Sequence, residues 1–381
     1  MIEVAEVCRR FADGYLSAHD AGKPGSSMLP SHRRAITDIL ACRTDVLGGH
    51  LWRCNACSSE VYSYHSCKNR SCPKCHTDQT ERWLEARKIE MLPCRYSHIT
   101  ITVPRELRDV LRANQRDGYV LLMKAVAGSI IEIARDPRYV GATVGVLAVL
   151  HTWTQQLNYR PHVHCLVTAG GVSDDGNHWL PARNGFLVSA RALAKLVRGK
   201  LKAALAKRRP DLVLPKAAWR KRWVVHCSAV EDGDGTVLRY LARYVFRVAI
   251  TNSRIVSLDD EAVTIRHKDR KSIQWRTTRL TGHEFMRRFL QHVLPKGLHK
   301  VRYYGLWHPA RREYAQRARL MLLLDRPAAP SSPTRPAGTV DRRTDRAADH
   351  IPVDETRICP CCQQGRLVRA ARLYPKQASG P

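Results

Sequence analysis

Several stretches of the chain have the pattern of β-strands. Residues 96–104 alternate most clearly, because Ile99 and Ile101 face one side of the predicted strand whereas His98 and Thr100 face the other. This strand is therefore expected in a sheet with one polar face. Further strands are predicted at residues 145–151, 160–168, 223–227, 254–257, 262–266 and 273–276.

Apolar residues spaced three and four apart predict helices in residues 1–45, 77–92, 105–135, 189–207, 236–250 and 285–294. The mixture of elements indicates an α+β fold. From residue 326 to about 349 the composition shifts to Pro, Ala, Ser, Thr and Arg, which is typical of a flexible segment. We therefore divide the chain into a helical and cysteine-rich domain at 1–93, a second domain at 94–325 and a disordered tail at 326–381.

The charge of the chain narrows the class of partner. Lysine and arginine number 64 against 34 acidic residues, which gives a formal net charge of +30. A nucleic acid is the expected partner, with a generally solvated basic surface as the alternative. No apolar run of about 18 residues predicts a membrane span, and the acidic N-terminal residues lack a signal-peptide pattern. We therefore expect a cytoplasmic protein without a membrane partner, whose 13 cysteines serve as thiols or metal ligands.

Two CxxC knuckles, Cys54–Cys57 and Cys72–Cys75, are separated by fourteen residues. Zn²⁺ prefers four ligands in a tetrahedron, and each knuckle supplies two from one tight turn. We therefore predict a structural zinc site with the ligands Cys54, Cys57, Cys72 and Cys75. Residues near the knuckles that could replace one ligand are His50, His65 and Cys67.

Basic residues and aromatic residues surround the knuckles, which suits contact with nucleic acid. The predicted DNA contacts here are Lys68, Arg70 and Lys74. The alternative, compatible with the first, is that zinc only stabilises a domain with little core. A further half-knuckle in the tail, formed by Cys359, Cys361 and Cys362, has no second pair after it and is expected to be a disordered remnant.

Two histidines, His162 and His164, flank one apolar residue in the predicted strand 160–168. Residues two apart on a strand point to one face, where two imidazoles can hold part of a metal site. A third ligand is needed, and His151 or Gln155 is a candidate. Mg²⁺ or Mn²⁺ at this site would act as a Lewis acid on a phosphate. Two histidines on a strand are otherwise ordinary surface or core residues.

Two tyrosines, Tyr240 and Tyr244, stand four residues apart in the predicted helix 236–250, opposite its apolar stripe. Three arginines form a neighbouring stripe: Arg239, Arg243 and Arg247. A tyrosine hydroxyl is a weak nucleophile with a pKa of about 10, and arginines stabilise its phenolate and bind the phosphate. These residues therefore suit attack by tyrosine on a DNA phosphate, which would leave a 5′-phosphotyrosine and a free 3′-hydroxyl.

At these residues the chain resembles the HUH-type rolling-circle insertion-sequence transposases with two tyrosines, where HUH denotes histidine, hydrophobic residue, histidine. The resemblance covers roughly residues 30–320. The motifs that carry it lie at residues 42–44, 48–50, 66–75, 98–104, 151–171, 240–244, 294–297 and 303–305.

The resemblance implies an N-terminal zinc-binding domain followed by a nuclease domain with a central antiparallel sheet flanked by helices. It implies cleavage and rejoining of single-stranded DNA at the ends of a mobile element, with host replication or helicase factors as possible partners. His162 and His164 match the metal pair of the family, and Tyr240 and Tyr244 match the nucleophile pair. Members commonly have histidine where this chain has Ser71.

Two other functions fit part of the sequence. A rolling-circle replication initiator or relaxase would use the same residues for the same chemistry. A non-enzymatic zinc-containing DNA-binding regulator explains the charge and the cysteines, but it leaves the histidine strand and the tyrosine helix without a role.

Overall fold

The computed structural model describes residues 1–21, 28–75, 83–85, 90–183, 188–230, 245, 248–269, 272–324 and 357–376. The helices are α1 (Val4–Asp20), α2 (Pro30–Ala41), α3 (Arg108–Ala113), α4 (Gln115–Ala134), α5 (Ala190–Arg208), α6 (Lys216–Arg220), α7 (Gly282–Leu290) and α8 (Arg312–Leu324). The strands are β1 (Gly49–Cys54), β2 (Glu60–Tyr64), β3 (Tyr96–Thr102), β4 (Thr143–Trp153), β5 (Tyr159–Val172), β6 (Trp179–Pro181), β7 (Val224–Val230), β8 (Ile255–Leu258), β9 (Ala262–Lys268), β10 (Trp275–Thr281), β11 (Val301–Gly305) and β12 (Leu367–Leu373).

The largest sheet has the strand order β11-β4-β5-β3-β7, with β6 added beside β5. Each pair of neighbours in it is antiparallel, which confirms the predicted α+β fold with a central antiparallel sheet. The register places Thr100 of β3 opposite His164 of β5, and His151 of β4 opposite His162 of β5. The three long strands at its centre are those that the alternating and apolar runs predicted.

The two faces of this sheet differ because side chains alternate along each strand. One face carries Ile99, Val163 and Val167, which are fully buried in the largest apolar cluster of the described residues. Helices α4 and α5 cover that face with residues such as Leu122 and Val197. The opposite face carries the histidines of β3, β4 and β5. The sheet therefore has one face packed against helices and one face that holds the polar groups.

Gly170 and Gly171, two consecutive glycines, lie inside β5 and not in a turn. A Cβ added at Gly170 would lie 2.5 Å from the Trp179 ring, and one at Gly171 would lie 2.5 Å from the Thr143 carbonyl oxygen. The glycines allow close approach of β6 and β4 to β5, rather than a reversal of the chain.

A second apolar cluster joins the N-terminal helices to a later part of the chain. It contains Phe11 and Ile36 of α1 and α2 together with Ile265 of β9 and Phe289 of α7. Helix α7 approaches α1 closely, because a Cβ at Gly282 would lie 2.2 Å from the Phe11 ring. The boundary near residue 94 stays a prediction, but the stretches on its two sides share this cluster.

Strand β12 lies within the segment predicted as a disordered tail, and this part of the prediction is corrected. It pairs with β1 along its length, from Gly49 opposite Leu373 to Cys54 opposite Leu367, in a sheet of order β12-β1-β2. The pairing satisfies backbone groups that a disordered segment would leave to water. Residues 325–356 and 377–381 lie outside the described residues. Among the helices described, none is long and apolar enough to cross a membrane.

Candidate metal centres and active site

Three histidines meet on the polar face of the central sheet. His162 and His164 lie on β5, and His151 lies beside them on β4. Their ligand atoms all lie within 4.8 Å of one another. His151 is almost fully buried, whereas the other two are partly exposed. Of the two third ligands considered from the sequence, His151 is the one that the structure brings into this cluster.

Hydrogen bonds at Nδ1 orient both histidines of β5. The Nδ1–H of His162 donates to the carbonyl oxygen of Arg160 over 2.7 Å, because the carbonyl can only accept. The Nδ1 of His164 lies 2.9 Å from Nε2 of His98 and 3.1 Å from the Thr100 hydroxyl. A histidine whose Nδ1 donates in this way offers Nε2 as its ligand atom.

His98 lies one strand away from the cluster and holds His164 in place. Burial, together with the smaller effect of the nearby His226, lowers the pKa of His98 to about 4. His98 is therefore neutral at physiological pH, and its Nε2 can accept the proton that His164 Nδ1 donates. Its imidazole also stacks on that of His164, with ring centroids 5.1 Å apart. The strand alternation predicted the face on which His98 lies, but not this role.

A pocket of about 420 Å³ opens onto the three histidines. Arg254 forms part of its wall, where its Nε donates to the Arg266 carbonyl at 3.0 Å and its Nη2 donates to the Gln155 carbonyl. Two cations and one carboxylate contribute to the lining, so its charge favours an anion. The lining residues are His151, Trp153, Thr154, Gln155, His162, His164, Arg254, Lys268, Asp269 and Ile273.

Three imidazole ligands beside an open pocket fit a metal ion that also binds a substrate. Catalytic metal sites keep a coordination position for water or substrate, whereas structural sites are closed by four protein ligands. A substrate in the pocket would have direct access to such an ion. The three histidines are therefore candidate ligands of a divalent cation, which would face an anionic ligand in the pocket.

The predicted tyrosine helix lies almost entirely outside the described residues, which include Val245 and residues from Val248 onward. Tyr240, Tyr244 and the arginines Arg239, Arg243 and Arg247 are all outside them. Val245 is helical and 2% exposed. It packs with Tyr96, Leu147 and Leu166, which lie on the same face of the sheet as the histidines.

The cysteines form two clusters instead of the single predicted site. The first contains Cys42, Cys67, Cys72 and Cys75, whose sulfur atoms lie within 4.8 Å of one another. Sγ of Cys75 lies 3.4 Å from that of Cys42 and 3.5 Å from that of Cys67. Four sulfurs around zinc are about 3.8 Å apart, given Zn–S bonds of about 2.3 Å in a tetrahedron. These four residues therefore fit a structural zinc ion, and Cys67 is one of the four.

The second cluster contains Cys54 and Cys57 with Cys359 and Cys362. The half-knuckle predicted to be a disordered remnant thus meets the knuckle that follows β1. The predicted grouping of Cys54 and Cys57 with Cys72 and Cys75 is wrong, because each knuckle lies with other cysteines. Neither His50 nor His65 belongs to either cluster; their rings contact each other, with centroids 5.1 Å apart.

The chain is similar to known transposases over most of its length. A family model described as a putative transposase matches residues 145–314, and one described as a transposase zinc-binding domain matches residues 7–103. The chain is 36% identical over 386 residues to "Putative transposase y4qJ" of Sinorhizobium fredii (strain NBRC 101917 / NGR234), with 96% of this chain and 94% of that protein covered. It is 26% identical over 289 residues to "Transposase for insertion sequence element IS801" of Pseudomonas savastanoi pv. phaseolicola, with 71% and 68% covered. The chain belongs to the IS91/IS801 transposase family.

Membership of this transposase family makes the chain a DNA-cleaving enzyme that binds DNA, with a structural zinc-binding domain. No solved protein structure matches the chain. The histidine cluster lies within the residues that the putative transposase model matches, and the first cysteine cluster lies within those that the zinc-binding model matches.

Two of the three DNA contacts predicted near the knuckles of this transposase have protein partners. The guanidinium of Arg70 donates to the carbonyl oxygens of Leu294 at 3.0 Å, Pro295 at 2.6 Å and Leu298. Arg70 therefore ties the cysteine-rich segment to the loop after α7, and its contact with DNA stays a prediction. Lys74 forms an ion pair with Glu3 at 2.5 Å. Lys68 is exposed and stays a predicted DNA contact.

Sequence reasoning missed Cys42, Cys359 and Cys362 as members of cysteine clusters of the transposase. The signal that would have found them is the cysteine count between residues 42 and 75. Six cysteines lie there, which is two more than one zinc ion needs. The two surplus thiols and the CxxC pair at 359–362 make a second set of four.

Proposed function

We propose that the protein cleaves and rejoins single-stranded DNA through a 5′-phosphotyrosine intermediate and so moves its element by rolling-circle transposition. The observation that carries the proposal is the cluster of His151, His162 and His164 beside a cationic pocket on one face of the sheet. A zinc-binding regulator that only recognises DNA has no use for three converging imidazoles that open to solvent.

Mg²⁺ or Mn²⁺ held by the three histidines would withdraw charge from the scissile phosphate. His98 and Thr100 keep His164 in the orientation that offers Nε2. Arg254 and Lys268 add positive charge to the wall that faces the phosphodiester. These residues bind and orient the DNA phosphate without taking part in bond breaking.

Tyr240 and Tyr244 are the proposed nucleophiles. The phenolic oxygen bonds to phosphorus while the bond from phosphorus to the 3′ oxygen breaks. The phenol loses its proton and the leaving 3′ oxygen gains one, so that a 5′-phosphotyrosine and a 3′-hydroxyl result. A 3′-hydroxyl can later attack the phosphotyrosine and reseal the strand.

Val245, which directly follows Tyr244, packs on the histidine face of the sheet, and this supports the pairing of the tyrosines with the metal site. Arg239, Arg243 and Arg247 would stabilise the phenolate.

The test uses labelled single-stranded DNA carrying the ends of the element, with Mg²⁺ or Mn²⁺, and measures a protein–DNA adduct that survives denaturation. We expect the wild type to form the adduct, Tyr240→Phe and Tyr244→Phe each to form less, and the double variant to form none. His162→Ala with His164→Ala should also abolish it. Tyr374→Phe is the matched control, because Tyr374 is exposed just after β12 and does not line the histidine pocket, and it should match the wild type.

An adduct formed by the double tyrosine variant would refute the assignment of the nucleophiles. DNA binding by the wild type without cleavage, at every concentration of either metal, would favour the regulator instead.

A further inference from the structure

The second cysteine cluster joins residues that lie about 300 positions apart in the chain. Cys54 and Cys57 surround the turn after β1, and Cys359 and Cys362 surround the turn that precedes β12. Sγ of Cys54 lies 3.7 Å from that of Cys362, and Sγ of Cys57 lies 3.7 Å from that of Cys359. These separations match the edges of a tetrahedron around zinc, which are about 3.8 Å long, and exceed the disulfide bond of about 2.05 Å.

Both turns direct backbone N–H groups at their sulfur atoms. Cys54 Sγ accepts from the N–H of Ala56 at 3.4 Å and that of Cys57 at 3.5 Å. In the other turn, Cys359 Sγ accepts from the N–H of Cys361 at 3.4 Å. Hydrogen bonds of this kind favour the thiolate, which is the form that binds a metal. The two turns therefore present their thiols in the same way.

Gly365 completes the turn that carries Cys362. Its N–H donates to Cys362 Sγ at 3.3 Å, and a Cβ added at this position would lie 2.4 Å from Cys54 Sγ. Only glycine lets the backbone come this close to the opposite knuckle. The site is thus closed on one side by backbone.

The apolar packing around this cluster is small. Its buried residues are Trp52, Cys54, Cys359 and Leu367, with Val61 and Cys362 packed against them. So few side chains provide little stability for a separate three-stranded sheet, and domains of this size commonly depend on a metal. The four thiols lie at this small apolar cluster, where a bound metal ion would add the missing stability.

We propose that Cys54, Cys57, Cys359 and Cys362 bind a second structural zinc ion, which fastens β12 to β1. The zinc-binding domain matched at residues 7–103 contains only two of these four ligands. The ion holds a segment, residues 357–376, that carries five basic residues and no acidic one. This inference does not depend on the proposed nuclease chemistry.

Zinc content of the purified full-length protein tests the proposal. We expect two zinc ions per chain in the wild type, and one in both Cys359→Ser/Cys362→Ser and Cys54→Ser/Cys57→Ser. The four-fold variant should also retain one, because both pairs bind the same ion. Cys361→Ser is the matched control: Cys361 lies between two ligands but is exposed and outside the cluster, so this variant should retain two.

Hydrogen exchange of backbone amides provides a readout that does not involve metal content. The amides of Leu367–Leu373 should exchange more than tenfold faster in Cys359→Ser/Cys362→Ser than in the wild type or Cys361→Ser. Those of β4 and β5 should be unchanged, which shows that the rest of the variant is folded. Retention of two zinc ions by Cys359→Ser/Cys362→Ser, or unchanged exchange in β12, would overturn the proposal.

Discussion

The three-histidine pocket and the cluster of Cys42, Cys67, Cys72 and Cys75 are both groups of converging side chains that can bind a metal, but their surroundings are opposite. Three of the four cysteines are buried, and the cluster packs into the apolar cluster that joins α1, α2 and α7. The histidines line a pocket of about 420 Å³ together with charged side chains. One set of ligands is part of a core, and the other forms the floor of a cavity.

We propose that this difference corresponds to two uses of a metal within one chain. Four thiolates complete the coordination of an ion that then only stabilises the fold, whereas three imidazoles leave coordination positions for a substrate. A change in the first set should therefore affect folding, and a change in the second should affect reaction with little effect on folding. Substitutions in the two sets can break or sharpen the comparison.

The largest effect is expected from Cys72→Ser in the buried cysteine cluster. Structural zinc contributes roughly 10–16 kcal/mol in small domains, which is comparable to the whole stability of a typical protein, about 5–15 kcal/mol. The variant should lose one zinc ion per chain and fail to give a cooperative thermal unfolding transition. Calorimetry and metal analysis of the purified protein measure both.

Cys8→Ala is the control for this variant. Cys8 is fully buried in the same apolar cluster but is not a member of either cysteine cluster. Its loss should cost about 1–2 kcal/mol through a small cavity, with the zinc content unchanged. If Cys72→Ser unfolded like Cys8→Ala, the cluster would not be a structural metal site.

A smaller effect, on metal use and not on folding, is expected from His151→Ala. Loss of one of three ligands should lower the affinity for Mn²⁺ by more than about tenfold, since even indirect partners of a metal are worth 10–100-fold. DNA cleavage should recover at higher Mn²⁺, while the thermal transition stays within a few degrees of that of the wild type. Gln155→Ala, in the same pocket, should change the metal dependence little. A larger loss of Mn²⁺ affinity in Gln155→Ala than in His151→Ala would make Gln155 the third ligand.

The smallest effect is expected from His98→Ala, which removes the acceptor beside His164 Nδ1 at 2.9 Å. His98 is a positioning residue, so its loss should raise the Mn²⁺ concentration for half-maximal cleavage by about tenfold. His98→Gln restores an acceptor and should recover part of the affinity. Ser97→Ala, one residue away on the opposite face of β3, should leave it unchanged. Equal metal dependence of all three variants would remove His98 from the site.

The sequence predicted the histidine site better than the cysteine sites, for a physical reason. Alternation along β5 fixes the face on which His162 and His164 lie, and the neighbouring strands then bring His98 and His151 to the same face. Which knuckles meet in space, however, depends on tertiary contacts. The pairing of Cys54 with Cys362 requires β12 to lie beside β1, and no local pattern encodes that contact.

The contacts of the basic residues near the knuckles also depend on tertiary structure that the sequence pattern does not show. Lys68, Arg70 and Lys74 look equivalent in the sequence, yet Arg70 binds three backbone carbonyls and Lys74 pairs with Glu3. Carbonyl groups left by the ends of elements are invisible in a residue pattern, so an internal arginine cannot be told from a surface one. Of the three, Lys68 is exposed, whereas Arg70 and Lys74 are partly buried, and all three DNA contacts stay predictions.

The pairing of β12 with β1 also means that this small sheet can be completed only late in synthesis of the chain. The ribosome makes Cys54 more than 300 residues before its partner Leu367. At about 5–20 residues per second, roughly 15–60 s pass in which β1 has one edge without its neighbour and the Cys54–Cys57 knuckle has half a set of ligands. The central sheet, whose strands all come earlier in the chain, can form before this interval ends. Strand β1 and its Cys54–Cys57 knuckle are therefore among the first parts of the chain to be made but among the last to reach their final pairing.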